Sequence, residues 1–145
     1  QKMFDYLLLR KDISNTKIYV YGASLGSQIA THLAKDNLSK ISGLILEGGM
    51  SSFTDIAIFF KPEYKEVIEK FVVSPYSAKE DVKSLAGLPK LFIYSKNDKT
   101  VPFEHGQLIY YNAPEPKQFL EFSGEHIDGM RTADKDRILK AIENL

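Results

Sequence analysis

Between Lys17 and Ala34 the chain reads KIYVYGASLGSQIATHLA. A β-branched and aromatic run is followed at once by a serine between two glycines, and then by a helical pattern. A strand that turns directly into a helix is half of a βα unit, and repeated βα units build a parallel sheet. The alternation continues along the chain. Strands are expected at Ile18–Tyr21, Ser42–Glu47, Leu91–Tyr94 and Gln118–Phe122. Helices are expected near Leu25–Lys35, Ile56–Phe60, Val67–Val73 and Phe103–Asn112, with a last one after Thr132. Pro62 and Pro75 interrupt the region between the second and third strands, and Pro102 opens a helix where proline is tolerated. The strands are near-continuous apolar runs, as expected when helices cover both faces of a sheet. The fold class is therefore α/β, with about four parallel strands in a single domain over residues 1–145.

Finer expectations follow from periodicity. In the helix after Ser24, Ile29, Ala30, Leu33 and Ala34 should form the inward face. In the last helix Ile138, Leu139, Ile142 and Leu145 should do so. Met3 to Leu9 reads as the end of an amphipathic helix, stopped near Asp12–Asn15.

Composition narrows the function. Nineteen basic residues balance nineteen acidic ones without long runs, which argues against a nucleic-acid footprint. With no cysteine there is no disulfide, thiol nucleophile or cysteine-ligated metal. No apolar run approaches the roughly 18 residues of a membrane span, and no signal peptide is visible. The chain opens at Gln1, so targeting information is not readable from it.

The Gly22-Ala23-Ser24-Leu25-Gly26 turn has the pattern of a nucleophile elbow, G-x-S-x-G between strand and helix. The turn forces the serine into a strained conformation at the end of the strand. Its glycine neighbours should be needed because strand and helix nearly touch. The following helix points free N–H groups and a positive dipole end at the serine, and Leu25 N–H is the candidate oxyanion donor. A plain βα turn made of small residues is the alternative.

A nucleophilic serine needs a base. His32 lies eight residues on along the same helix, about 12 Å away, and cannot reach. His105 sits near a helix start, in a structural or solvent-facing role. His126, in FSGEH after the fourth strand, leaves the C-terminal edge of the sheet, the edge that Ser24 occupies. It is the candidate base. Asp98, after the third strand, is the candidate orienting acid, although Asn97-Asp98 would also make an Asx turn. Together the three fall in the order serine, acid, histidine expected of α/β-hydrolases.

On VYGASLG, LFIYSKNDKTVPFEHG and FLEFSGEHIDG the sequence resembles the α/β-hydrolase superfamily, in its dienelactone-hydrolase and prolyl-oligopeptidase-like branch. The resemblance covers nearly the whole chain and matches the C-terminal half of the family fold. It implies Ser24 as nucleophile, Asp98 as acid and His126 as base. The implied reaction is cleavage of a small ester, thioester or peptide substrate through an acyl-enzyme, without metal or cofactor. It also implies that a second oxyanion donor belongs to the other half of the fold. A non-catalytic binding module, with an anion at the helix N-terminus after Ser24, is the alternative reading. Phe53, Phe59, Phe60 and Tyr64 would line a pocket or fill the core. The strand Lys17–Tyr21 should be an unguarded sheet edge, through which the chain self-associates or takes a partner.

Overall fold

The computed structural model describes all of residues 1–145. In chain order the elements are α1 (Lys2–Leu8), β1 (Tyr19–Ala23), α2 (Gly26–Asp36), β2 (Gly43–Glu47), α3 (Phe53–Phe60), α4 (Lys65–Phe71), α5 (Ala78–Asp81), β3 (Lys90–Ser95), α6 (Phe103–Asn112), β4 (Lys117–Phe122) and α7 (Lys135–Glu143). The strands form one parallel sheet in the order β1-β2-β3-β4, with Val20 opposite Leu44, Ile45 opposite Leu91 and Phe92 opposite Phe119. All four strands therefore end on one edge, and the loops after them share that edge.

Alternation along the strands divides the core in two. On one face Leu44, Leu46, Phe92 and Tyr94 pack with Phe4 of α1, Ala30 and Ala34 of α2, Ala78 of α5 and Ile109 of α6. On the other, Ile45, Leu91, Ile93, Leu120 and Phe122 meet Ile138 and Ala141 of α7. Helices thus cover both faces, and β2 and β3 are buried at every position. Lys90, at the start of β3, is buried too. Its Nζ donates to the carbonyls of Leu85 (2.7 Å) and Leu88 (2.5 Å), and burial lowers its pKa to about 8.

Two expectations about packing are corrected and one alternative is settled. In α2, Ile29 is 55% exposed, and the buried residues are Ser27, Gln28, Ala30, Thr31 and Ala34, with Leu33 packed against the core. Ala30 is small where the helix comes closest to β1, within 2.5 Å of where a Cβ on Gly22 would lie. In α7, Ala141 takes the place expected for Leu139 beside Ile138. The aromatics of α3 and its neighbour do not fill the core: Phe59, Phe60 and Tyr64 are more than half exposed, and α3 buries none of its residues. In α1 only Phe4 is buried.

β1 is an edge strand, paired with β2 alone, and Tyr19 and Tyr21 on it are 37% and 53% exposed.

Candidate active site

The turn after β1 is set by backbone geometry. Ser24 has φ 51°, a left-handed conformation that costs an L-residue about 1–2 kcal/mol. Its N–H donates to the carbonyl of Glu47 at 2.9 Å, which carries the β1–β2 ladder one residue past the strand and fixes the turn. A Cβ at Gly22 would lie 2.5 Å from the Ala30 Cβ, so glycine is required there for strand and helix to meet. Gly26 differs from expectation, because a Cβ there would touch nothing within 4 Å. The close approach is made on the strand side alone.

The three candidate residues come together. His126 Nε2 lies 2.8 Å from Ser24 Oγ, and His126 Nδ1 lies 2.6 Å from Asp98 Oδ2. The Asp98 side chain is 3% exposed and that of His126 is 17% exposed. The two readings of Asp98 divide between its oxygens. Oδ2 faces the imidazole, while Oδ1 accepts from the N–H groups of Thr100 (2.8 Å) and Val101 (2.9 Å) in an Asx-type turn. The turn that competed with the acid role fixes the carboxylate for it. With Nδ1–H donated to Asp98, the imidazole presents the lone pair of Nε2 to the serine hydroxyl. Leu25 N–H has no protein acceptor and stands at the N-terminus of α2, where an anionic oxygen is favoured.

Two supports were not foreseen. Glu47, at the end of β2, is buried. Its Oε1 accepts from Gly129 N–H at 3.0 Å in the His126 loop, and its Oε2 accepts from Tyr21 Oη on β1. One side chain thus ties both flanks of the site together. Burial first, and the Glu47 carboxylate second, push the Tyr21 hydroxyl well above the ordinary tyrosine range. A glutamate closing the apolar run SGLIL was the available signal. The second support is Gly48, with φ +54°, where a Cβ would come 3.2 Å from the His126 ring.

The remaining histidines stand apart from this site. His32 is a half-exposed helix residue whose Nδ1 meets Asp81 at 2.7 Å. His105 is buried rather than solvent-facing, in contact with Ser51.

No protein-family model matches the chain. It is similar to the protein bem46 of Schizosaccharomyces pombe, 33% identical over 102 residues that make up 70% of this chain and 34% of that protein. It is 34% identical over 143 residues to the alpha/beta hydrolase domain-containing protein WAV2 of Arabidopsis thaliana, covering 88% of this chain and 46% of that one. To the lysophosphatidylserine lipase ABHD12 of Macaca fascicularis it is 27% identical, covering 86% of this chain and 34% of that protein. The chain therefore spans between a third and a half of the length of these relatives. Among solved structures, a monoacylglycerol lipase of Paleococcus ferrophilus superposes with a TM-score of 0.66 at 14% identity, over 99% of this chain and 72% of that one. The Pyrococcus furiosus esterase Pf2001 does so with a TM-score of 0.70 at 14% identity, over 98% and 59%.

Proposed function

Since this chain belongs to the α/β-hydrolase superfamily and matches the C-terminal half of its fold, we propose that it carries the catalytic triad of a serine hydrolase. The observation that supports this most directly is the bridging position of His126, 2.8 Å from Ser24 Oγ and 2.6 Å from Asp98. In this reading Nε2 takes the hydroxyl proton as Ser24 Oγ attacks a carbonyl carbon. Asp98 holds the imidazole in the required tautomer and stabilises the imidazolium that forms. Leu25 N–H and the end of α2 receive the oxyanion. His126 then returns the proton to the leaving group, and water releases the acyl group by the same steps in reverse order. The substrate class is a carboxylic ester, thioester or amide. The lipase activity in the name of the similar protein ABHD12 favours the ester.

By family resemblance the second oxyanion donor lies in the other half of the fold, and one donor is worth about 10²–10³ in rate. The test is therefore made with a fluorophosphonate probe as well as with short p-nitrophenyl esters. Covalent labelling at Ser24, lost in Ser24→Ala, is the expected result. A folded chain that resists the probe and binds phosphate near Leu25 would overturn the triad in favour of a binding module.

The exposed β1 edge supports a second proposal, that a strand from a second copy pairs with it. Light scattering at micromolar concentration should show species larger than the 16.4 kDa monomer. A monodisperse monomer would end this proposal and leave the triad untouched.

A further inference from the structure

Glu47 reaches both sides of the site through different atoms. Its carbonyl oxygen accepts from the N–H of Ser24 at 2.9 Å. Its Oε1 accepts from the N–H of Gly129 at 3.0 Å, in the loop just past His126. Its Oε2 accepts from Tyr21 Oη on β1. The residue is 3% exposed, so both carboxylate oxygens depend on protein donors.

The His126 loop depends on such a hold. From Glu125 to Asp128 no backbone group hydrogen-bonds to another element. The loop is tied to the sheet at its two ends. Ser95 Oγ, at the end of β3, donates to the carbonyl of Gly124 at 2.5 Å, and Glu47, at the end of β2, takes Gly129. Between them Ile127 has φ 48°, a left-handed conformation that a β-branched residue adopts only when its surroundings impose it. Its side chain is 45% exposed, so burial in the core does not impose it. The end of β2 supplies the constraint instead. A Cβ at Gly48 would come 3.2 Å from both His126 Nδ1 and Ile127 Cγ2, and one at Gly129 would come 3.0 Å from Glu47 Oε1. Glycine at these two positions lets the loop seat against the strand end.

We propose that Glu47 is a positioning residue for the base. Its main chain holds the turn of Ser24 and its carboxylate holds the loop of His126, so one residue sets the spacing between them. The proposal rests on the triad reading for its effect on rate. Gly129 and Tyr21 both present donors, which a carboxylate accepts with one oxygen each. Glutamine keeps an oxygen for Gly129, and the Tyr21 hydroxyl can turn to accept from its amide. Alanine leaves the Gly129 N–H buried without an acceptor.

The test measures fluorophosphonate labelling of the full chain over a range of probe concentrations, with every variant shown folded by circular dichroism. Glu47→Ala should lower the maximal labelling rate about 10²-fold, the effect of a misplacement of about 1 Å, with the half-saturating probe concentration unchanged. Glu47→Gln should restore the rate to within a few-fold of the parent. Ile109→Val, a fully buried change in the core of the opposite sheet face, should lower stability and leave the rate alone. Tyr21→Phe carries the test if Glu47→Ala does not fold, and should slow labelling more than Ile109→Val does. The second readout is the downfield proton signal of His126 Nδ1–H bonded to Asp98, which Glu47→Ala should broaden or remove and Glu47→Gln should keep. A parent chain that is not labelled would refute the nucleophile, and the proton signal would then decide the role of Glu47 by itself. Equal loss of rate in Glu47→Ala and Glu47→Gln, or a parental rate and proton signal in Glu47→Ala, would overturn the proposal.

Discussion

The chain contains two clusters built from the same three residue types, and they are wired differently. In Ser24–His126–Asp98 the histidine stands in the middle and uses one ring nitrogen for each partner. In Ser51–His105–Asp55 the serine stands in the middle, its hydroxyl donated to Asp55 and its backbone N–H to His105. The first arrangement can move a proton from serine to imidazole with a carboxylate behind it. The second has already committed its serine proton to a carboxylate, and Ser51 is sealed from solvent. Its histidine meets Ser51 through Nδ1 alone, and its Nε2 faces no protein partner. Composition of a cluster therefore decides little. Which residue bridges, and which face is open, decides what it can do.

The largest effect should come from removing each serine in turn. Ser24→Ala should abolish fluorophosphonate labelling and lower any ester turnover on the order of 10⁴-fold or more. Ser51→Ala should leave labelling within a few-fold and lower stability by about 1 kcal/mol, read from a denaturant midpoint. If both variants lost labelling equally, the two clusters would be one functional unit.

The carboxylates sharpen the same contrast. Asp98→Asn should cost about 10⁴-fold in turnover with the fold intact, because the imidazole loses its tautomer partner. Asp55→Asn should leave turnover near normal. Burial alone would raise the Asp55 carboxyl, but Lys79 and the Ser51 and Ser52 hydroxyls outweigh it and hold it below the ordinary range. Its contribution to stability is thus present above the unfolded value and lost as pH falls into the acid range. Asp55→Asn should flatten that acid limb in a urea series.

His105 gives a smaller, pH-dependent effect near neutrality. Its folded pKa is depressed by burial, so below about pH 6.5 the unfolded chain takes up a proton that the folded chain resists. Stability should fall as pH drops through this window, with a slope below the 1.4 kcal/mol per pH unit that one proton allows. His105→Gln should remove that slope.

The smallest effect concerns sign. Ser24→Gly should raise stability by about 1 kcal/mol, since glycine adopts φ 51° without strain. Ser51 does not have a positive φ, and Ser51→Gly should lower stability. Thermal midpoints of the two variants moving the same way would contradict the contrast.

Much of the first cluster was legible in the sequence, and almost none of the second. Ser24 is announced by its glycines and its place between strand and helix. Asp98 and His126 follow because the ends of parallel strands must share an edge. All four strands were found, with ends within two residues of the observed ones, since long apolar runs define them. Ser51 and Asp55 precede and begin a short helix, and no periodicity relates them to His105, 54 residues on. Their meeting depends on where the chain before α3 reaches α6, a tertiary fact. Ile29 was misjudged for a related reason: apolar character suggested an inward side chain, but the helix turns Ala30, Thr31 and Ala34 inward and leaves Ile29 55% exposed. Glu47 was passed over as a strand terminus, although a carboxylate ending an apolar strand needs partners.

Ser24 and His126 are 102 residues apart, with Asp98 between them along the chain. Contacts of such separation form late, because the intervening chain must first be organised. On the ribosome Ser24 emerges with β1, and in the proposed triad its base follows only after β4. A nascent chain halted before Lys117 would hold Ser24 without a base, a hydroxyl with its ordinary, weak reactivity. In that reading, reactivity toward the probe would be a clock for synthesis, silent until the loop after β4 has emerged.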